Sequence, residues 1–136
     1  MYRFFCSITL VFLACLLLPA CSRKPENLTC TISIESDEAE ILPATGVKFA
    51  DGATVLDILQ KATRMNKIQM ESSGTALAAY VKGIDNLYEF DKGPESGWIF
   101  YVNGKQAGES CGSVRVGDGD AIDWTYVLET PPMERQ

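Results

Sequence analysis

From Phe4 to Leu18 the chain carries no charge, and one cation, Arg3, stands before the run. This stretch decides how much of the sequence is left to fold. It is shorter than the roughly 20 apolar residues of a membrane-spanning helix. It opens on a cation, continues apolar and closes on Leu18-Pro19-Ala20-Cys21, so it reads as an export signal that is cut away. Residues 1–20 are assigned to that signal. About 116 residues then remain, enough for one small domain.

The whole chain has 12 Lys+Arg against 18 Asp+Glu, a net charge of −6, and loss of Arg3 leaves the remainder more acidic still. An acidic surface repels phosphate backbones, so nucleic acid is excluded as a partner. Of the five cysteines, Cys6 and Cys15 leave with the signal. Cys30 and Cys111 are left inside the domain, and in an oxidising compartment the simplest outcome is a bridge between them. Two buried free thiols are the alternative. A metal site is not expected, because the sequence has no histidine and no second pair of thiols.

The remainder reads as strands around one helix. Cys30 to Glu35 alternates, with Cys30, Ile32 and Ile34 on one face. Val47-Lys48-Phe49 predicts a short second strand, with Pro43 and Gly46 ahead of it. Thr54 predicts a helix N-cap, with Asp57 in the first turn and an apolar stripe of Val55, Leu56, Ile58, Leu59, Ala62 and Met65. Asn66 is the expected left-handed stop. A strand is expected at Ile68-Gln69-Met70, broken by Ser72-Ser73-Gly74, and another over Ala79–Ile84. Residues 85–96 predict a long loop, and exposed loops of that length often carry function. Gly97–Val102 is the strongest strand, and Asn103-Gly104 suits a type I′ hairpin turn. Val114–Val116 is extended, and Ala121–Val127 is the last strand. The expected fold class is α+β: a β-grasp-like mixed sheet with one main helix packed on one face.

Four segments carry a resemblance to a known family. They are Thr54–Leu59, Tyr80–Ile84, Ser96–Gly104 with its Ser-Gly-Trp and Val-Asn-Gly, and Gly117–Trp124 with its Asp-Gly-Asp and Trp. Together they resemble the transcobalamin-like C-terminal domain, also known as domain of unknown function 4430. The resemblance implies a β-grasp-like fold. In the cobalamin carriers of animals that share the domain, it implies that side chains near the segment matching Trp98–Tyr101 lie against a corrinoid. This chain lacks the helical barrel that covers the other side of that ligand. Bacterial relatives carry extra cysteines in the segment matching Phe90–Gly93, where Lys92 stands here, so the loop is expected to lack a staple and to be more mobile. At the other end, Leu18–Cys21 resembles the bacterial lipobox, which implies lipid on Cys21. The expected organisation is signal 1–20, lipidated Cys21 with a tether over 21–29, the domain over 30–128 and a tail over 129–136.

Trp98 and Phe100 share one face of their strand, Ile99 and Tyr101 the other. One set packs under the helix. The other is either an open aromatic platform or is covered by the 85–96 loop. Trp124 and Tyr126 are expected in the core. Tyr88 and Phe90, on the loop, are less committed to burial. The candidate ligand-binding set is Tyr88, Phe90, Trp98, Phe100 and Tyr101. Asp118-Gly119-Asp120 is expected to be a turn, since it lacks the ligand ladder of a calcium loop. With no histidine and no phosphate-binding glycine loop, no catalytic residue and no cofactor are assigned. The expected function is a lipid-anchored, extracytoplasmic, non-enzymatic binding module at the cell membrane. Cobalamin or another corrinoid is the ligand implied by the resemblance. The alternative is a surface module that docks another envelope protein through the aromatic surface or a sheet edge.

Overall fold

The structure is a computed structural model and describes residues 24–132. Residues 1–23, which include the expected signal segment and Cys21, and residues 133–136 lie outside the described residues. Eight strands and one helix are arranged in chain order. They are β1 (Leu28–Glu35), β2 (Glu40–Phe49), α1 (Val55–Met65), β3 (Met70–Ser73), β4 (Tyr80–Ile84), β5 (Leu87–Tyr88), β6 (Gly97–Val102), β7 (Lys105–Gln106) and β8 (Ala121–Val127). A five-stranded sheet has the order β2-β1-β8-β6-β7, and a smaller sheet has the order β3-β4-β5.

The first and last strands lie side by side and parallel at the centre of the large sheet, with Ile32 beside Ile122 and Ile34 beside Trp124. The other pairings in that sheet are antiparallel. This mixed sheet with its single helix is the α+β, β-grasp-like arrangement that the order of elements predicts. Period-2 alternation sends Cys30, Ile32, Ile34, Ile122, Trp124 and Tyr126 to one face, where they meet Val55, Ile58, Leu59 and Ala62 of α1 in one core.

The helix begins as its sequence requires. Thr54 Oγ1 accepts from Asp57 N–H, and Asp57 Oδ2 accepts from Thr54 N–H at 2.8 Å, a reciprocal capping box. The first-turn N–H groups of Val55 and Leu56 donate to Val114 and Cys111 carbonyls at 3.0 and 2.9 Å. That second pair anchors the 111–114 segment to the helix. The buried apolar stripe ends at Ala62, and Met65, expected to belong to it, is 59% exposed.

Several expectations are corrected. β2 runs through Pro43 and Gly46 instead of starting after them. It is an edge strand, and the register slips opposite Ser33, so Pro43 breaks no ladder bond. Asn66 keeps a right-handed φ of −100° and bonds back to Ala62, while Lys67 takes the left-handed position at φ 56°. The strand expected at Ile68–Met70 starts at Met70 and uses the two serines. Part of the 85–96 loop is a hairpin: Asp85 and Asn86 both have positive φ, 51° and 64°, and turn β4 into β5.

The Cys30–Cys111 bridge is also corrected, in favour of two buried free thiols. The Cys30 thiol donates to the Val47 carbonyl at 3.8 Å on β2, and the Cys111 thiol to the Ala79 carbonyl at 3.5 Å before β4. Each sulfur is directed to the backbone of a different neighbouring segment. Burial pushes both thiol pKa values up to about 11, with Asp120 adding to the rise at Cys30.

Candidate functional site

The second sheet and the 89–96 segment meet the β6 end of the large sheet and leave a hollow of about 370 Å³ between them. Its walls include Tyr80 from β4, Glu89, Phe90 and Glu95 from the loop, and Trp98 from β6. Thr130 closes the edge and bonds the Glu95 carbonyl at 3.3 Å, so the segment expected to be a mere tail contributes to the wall.

Trp98 forms the floor. Its indole N–H donates to the Leu87 carbonyl at 2.8 Å, and its ring meets Tyr126 edge-on at 5.3 Å. That pairing fixes the indole with only 9% of its surface open. Behind it, the Tyr126 hydroxyl reaches the Tyr88 carbonyl at 2.8 Å and the Ser96 hydroxyl at 2.9 Å, and its one proton serves one of them at a time. Ser96, buried, also accepts from Lys92 N–H at 3.1 Å and donates to the Gly93 carbonyl at 2.9 Å. The last strand thus holds the loop in place.

Phe90 is the exception to this tight packing. Its backbone is left-handed, φ 69°, although its N–H is bonded to the Ser96 carbonyl at 2.9 Å. Its side chain is 63% exposed at the mouth of the hollow. A bulky residue in that conformation stores strain of about 1–3 kcal/mol.

Two lysines stand on the same segments, Lys82 on β4 and Lys92 on the loop, and each is turned to carboxylates elsewhere. Lys92 pairs with Asp37 at 2.8 Å and Glu38 at 2.6 Å in the β1–β2 turn. Lys82 pairs with Glu71 at 3.1 Å. These partners raise both lysine pKa values: for Lys92, the hydrogen bonds it donates to Asp37 and then Glu38, and for Lys82, the hydrogen bond it donates to Glu71 and the charge of Glu71. The Lys92 pairs tie the loop to β1–β2 at the place where a cysteine staple was noted as missing.

The candidate ligand residues separate into four placements. Phe90 and Trp98 line the hollow together. Tyr88 stands behind it, with its ring against the bare Cα of Gly83, where an added Cβ would come within 2.6 Å of the ring. Phe100 is core, packed on Trp124 with ring centres 5.1 Å apart, and it does not reach the hollow. Tyr101 is half-buried on the opposite face, in register with Asp123. Tyr80, Glu89, Glu95 and Thr130 also line the hollow, and of these Tyr80 and Thr130 were not singled out from the sequence. The available signal was Tyr80, which alternates against buried Val81. Among the described residues no group of three or more Cys, Asp or Glu is placed to hold a metal ion. Among them, no helix is long and apolar enough to cross a membrane.

Comparison with solved structures shows the same fold elsewhere. Haptocorrin in complex with Cbi is similar at a TM-score of 0.62 and 18% identity, over 79% of this chain and 27% of haptocorrin. The chain thus spans about a quarter of haptocorrin's length. A protein of Ruminococcus gnavus ATCC 29149, provisionally described as metal-binding, is similar at a TM-score of 0.50 and 19% identity, over 74% of this chain and 96% of that one. No curated protein matches the chain. Residues 52–127, from the turn before α1 to the end of β8, match the Domain of unknown function (DUF4430), and the chain belongs to that family.

Proposed function

We propose that the chain is a lipid-anchored, extracytoplasmic binding domain without catalytic activity, and that the hollow beside Phe90 and Trp98 takes the edge of a flat apolar ligand, a corrinoid being the first candidate. The observation that carries this reading is Phe90. The fold gains no core contact from an exposed ring on left-handed backbone, so the ring is retained for what it touches at the mouth of the hollow. The likeness to haptocorrin bound to Cbi supports a corrinoid over other flat ligands. The hollow sits at the small end of the range for ligand sites, so it holds part of a macrocycle and leaves the rest for a second protein to cover.

The test is a titration of the full chain with Cbi (cobinamide), followed by the indole N–H resonance of Trp98. Phe90→Gly relieves the backbone strain and removes the ring. It should keep or raise the melting temperature and weaken Cbi binding at least tenfold. Equal affinity in the variant and the parent chain would refute the reading.

One observation favours a second reading, protein docking. Leu77, 84% exposed, stands on the 3₁₀ turn Ala76–Ala78, which is held from below by the Ser110 hydroxyl at 2.6 Å from the Ala79 carbonyl. If that knob docks a protein, Leu77→Ser should abolish docking and leave the Cbi titration unchanged.

A further inference from the structure

The hollow carries a charge signature as well as rings. Three aromatic side chains line it: Tyr80, Phe90 and Trp98. Two carboxylates, Glu89 and Glu95, stand in the same wall, and no Lys or Arg does. The lysines of β4 and of the loop are committed elsewhere. Lys82 is bonded to Glu71, and Lys92 is held between Asp37 and Glu38. Among the described residues neither Glu89 nor Glu95 has an ion pair, although Glu89 acts on Lys82 at longer range. Glu89 is half-buried, and its N–H donates to the Lys82 carbonyl at 2.8 Å, so its backbone is tied to β4 beside the hollow.

This combination selects by charge. Ring faces carry negative quadrupole potential and attract a cation within about 6 Å, most strongly for an alkylated ammonium that sheds water easily. Carboxylates at the rim add to the same field, and concave low-dielectric walls focus it. A phosphate or carboxylate placed in the hollow would meet two like charges and no partner.

We propose that this hollow is selective for a cationic organic group, of the alkylated-ammonium class, over neutral groups of the same shape and over anions. The proposal rests on the reading that the hollow is the binding site, and it names the chemistry that the site accepts. Tyr80, Phe90 and Trp98 supply the ring faces, and Glu89 and Glu95 supply the compensating charge.

The probes are choline and its uncharged isostere 3,3-dimethylbutan-1-ol, titrated into the full chain while the two indole N–H resonances are followed. Trp98, bonded to the Leu87 carbonyl, and Trp124, whose enclosed indole N–H meets no acceptor among the described residues, report separately. Choline should move the Trp98 resonance with at least tenfold higher affinity than the alcohol. In the Glu89→Gln, Glu95→Gln double variant that preference should fall to about twofold or less, with the affinity for the alcohol unchanged. Equal affinities for the two probes in the parent chain would overturn the proposal. So would an unchanged preference in the double variant, or a choline response confined to Trp124. Because Cbi is titrated separately, a Cbi response at Trp98 with no choline preference would sink charge selection and leave the binding site standing.

Discussion

The Tyr126 hydroxyl is the one polar group of the last strand that holds the loop of the hollow, and Tyr126→Phe isolates its contribution. The substitution removes one oxygen and leaves the ring, which is buried against Trp98, in place. Both acceptors keep other partners. The Tyr88 carbonyl still receives Asp91 N–H at 3.2 Å, and Ser96 Oγ still receives Lys92 N–H at 3.1 Å and donates to the Gly93 carbonyl. No group is left unsatisfied, so the cost is that of one net hydrogen bond, about 1 kcal/mol, and not the larger cost of an orphaned buried group. For a domain of roughly 100 residues this lowers the melting temperature by about 4 °C. Tyr126→Ala removes the ring as well and should cost about 3–5 kcal/mol, enough to threaten folding. Circular-dichroism melts measure both variants. Hydrogen exchange adds a local readout: the Phe90 amide, bonded to the Ser96 carbonyl, should lose protection in Tyr126→Phe, while the Leu59 amide of α1 should change no more than the global stability does. If Tyr126→Phe melts with the parent chain, the hydroxyl is idle. If it costs as much as Tyr126→Ala, the network has no alternative partners. Either result refutes the reasoning.

Gly83→Ala forces a methyl to 2.6 Å from the Tyr88 ring. It should destabilise by about 1–3 kcal/mol, and an unchanged melting temperature would show that β5 does not pack on β4 as described. Lys92→Gln should leave the melting temperature nearly unchanged, since the pairs are exposed, but should speed chymotryptic cleavage after Phe90; equal cleavage would mean that the ion pairs do not restrain the loop. The two thiols titrate at about 11 in the fold against about 9 when unfolded, so the unfolded chain releases its protons first as pH rises. Stability from these groups is therefore present below about pH 9 and is lost between about pH 9 and 11. A Cys30→Ala, Cys111→Ala variant should show a shallower loss across that window, and a parallel pH profile would refute the assignment. Iodoacetamide at pH 8 should leave both thiols unlabelled until the chain unfolds, and a reductant should not move the melting temperature.

What the sequence made legible is what a single element decides for itself. The alternation of β1, β6 and β8, the Thr54 cap and the Asn103-Gly104 turn are local, and each forms as its residues require, with Asn103 and Gly104 at φ 52° and 78°. The corrected features depend on neighbours. Pro43 reads as a strand breaker until β2 is known to be an edge strand with a bulge. Asp85-Asn86 reads as loop because neither residue is glycine, yet both types tolerate left-handed backbone, and the pairing of Ile84 with Leu87 selects the hairpin. The thiols fail in the same way: compartment and count favour a bridge, while position gives each sulfur a different backbone carbonyl to face.

The site divides along the same line. Period 2 places Trp98 and Phe100 on one face, but it cannot say that Phe100 continues under the sheet against Trp124 while Trp98 comes out at the end of β6 beneath a second sheet. Trp98 lines the hollow between β6 and the second sheet, and Phe100 does not. A site made at the seam between two sheets takes its wall from strands far apart in sequence, Tyr80, Glu95 and Thr130 among them, and no window along the chain contains it. Phe90 is the residue that sequence reasoning could have ranked first. A phenylalanine between two acidic residues, in a loop, has no burial pattern to satisfy, and its left-handed backbone adds a cost that the fold does not recover. If Phe90→Gly stabilises the domain and abolishes Cbi binding, strain and function are two readings of one side chain. If it destabilises, Phe90 packs in a way its exposure does not reveal, and the hollow loses its claim to be the site.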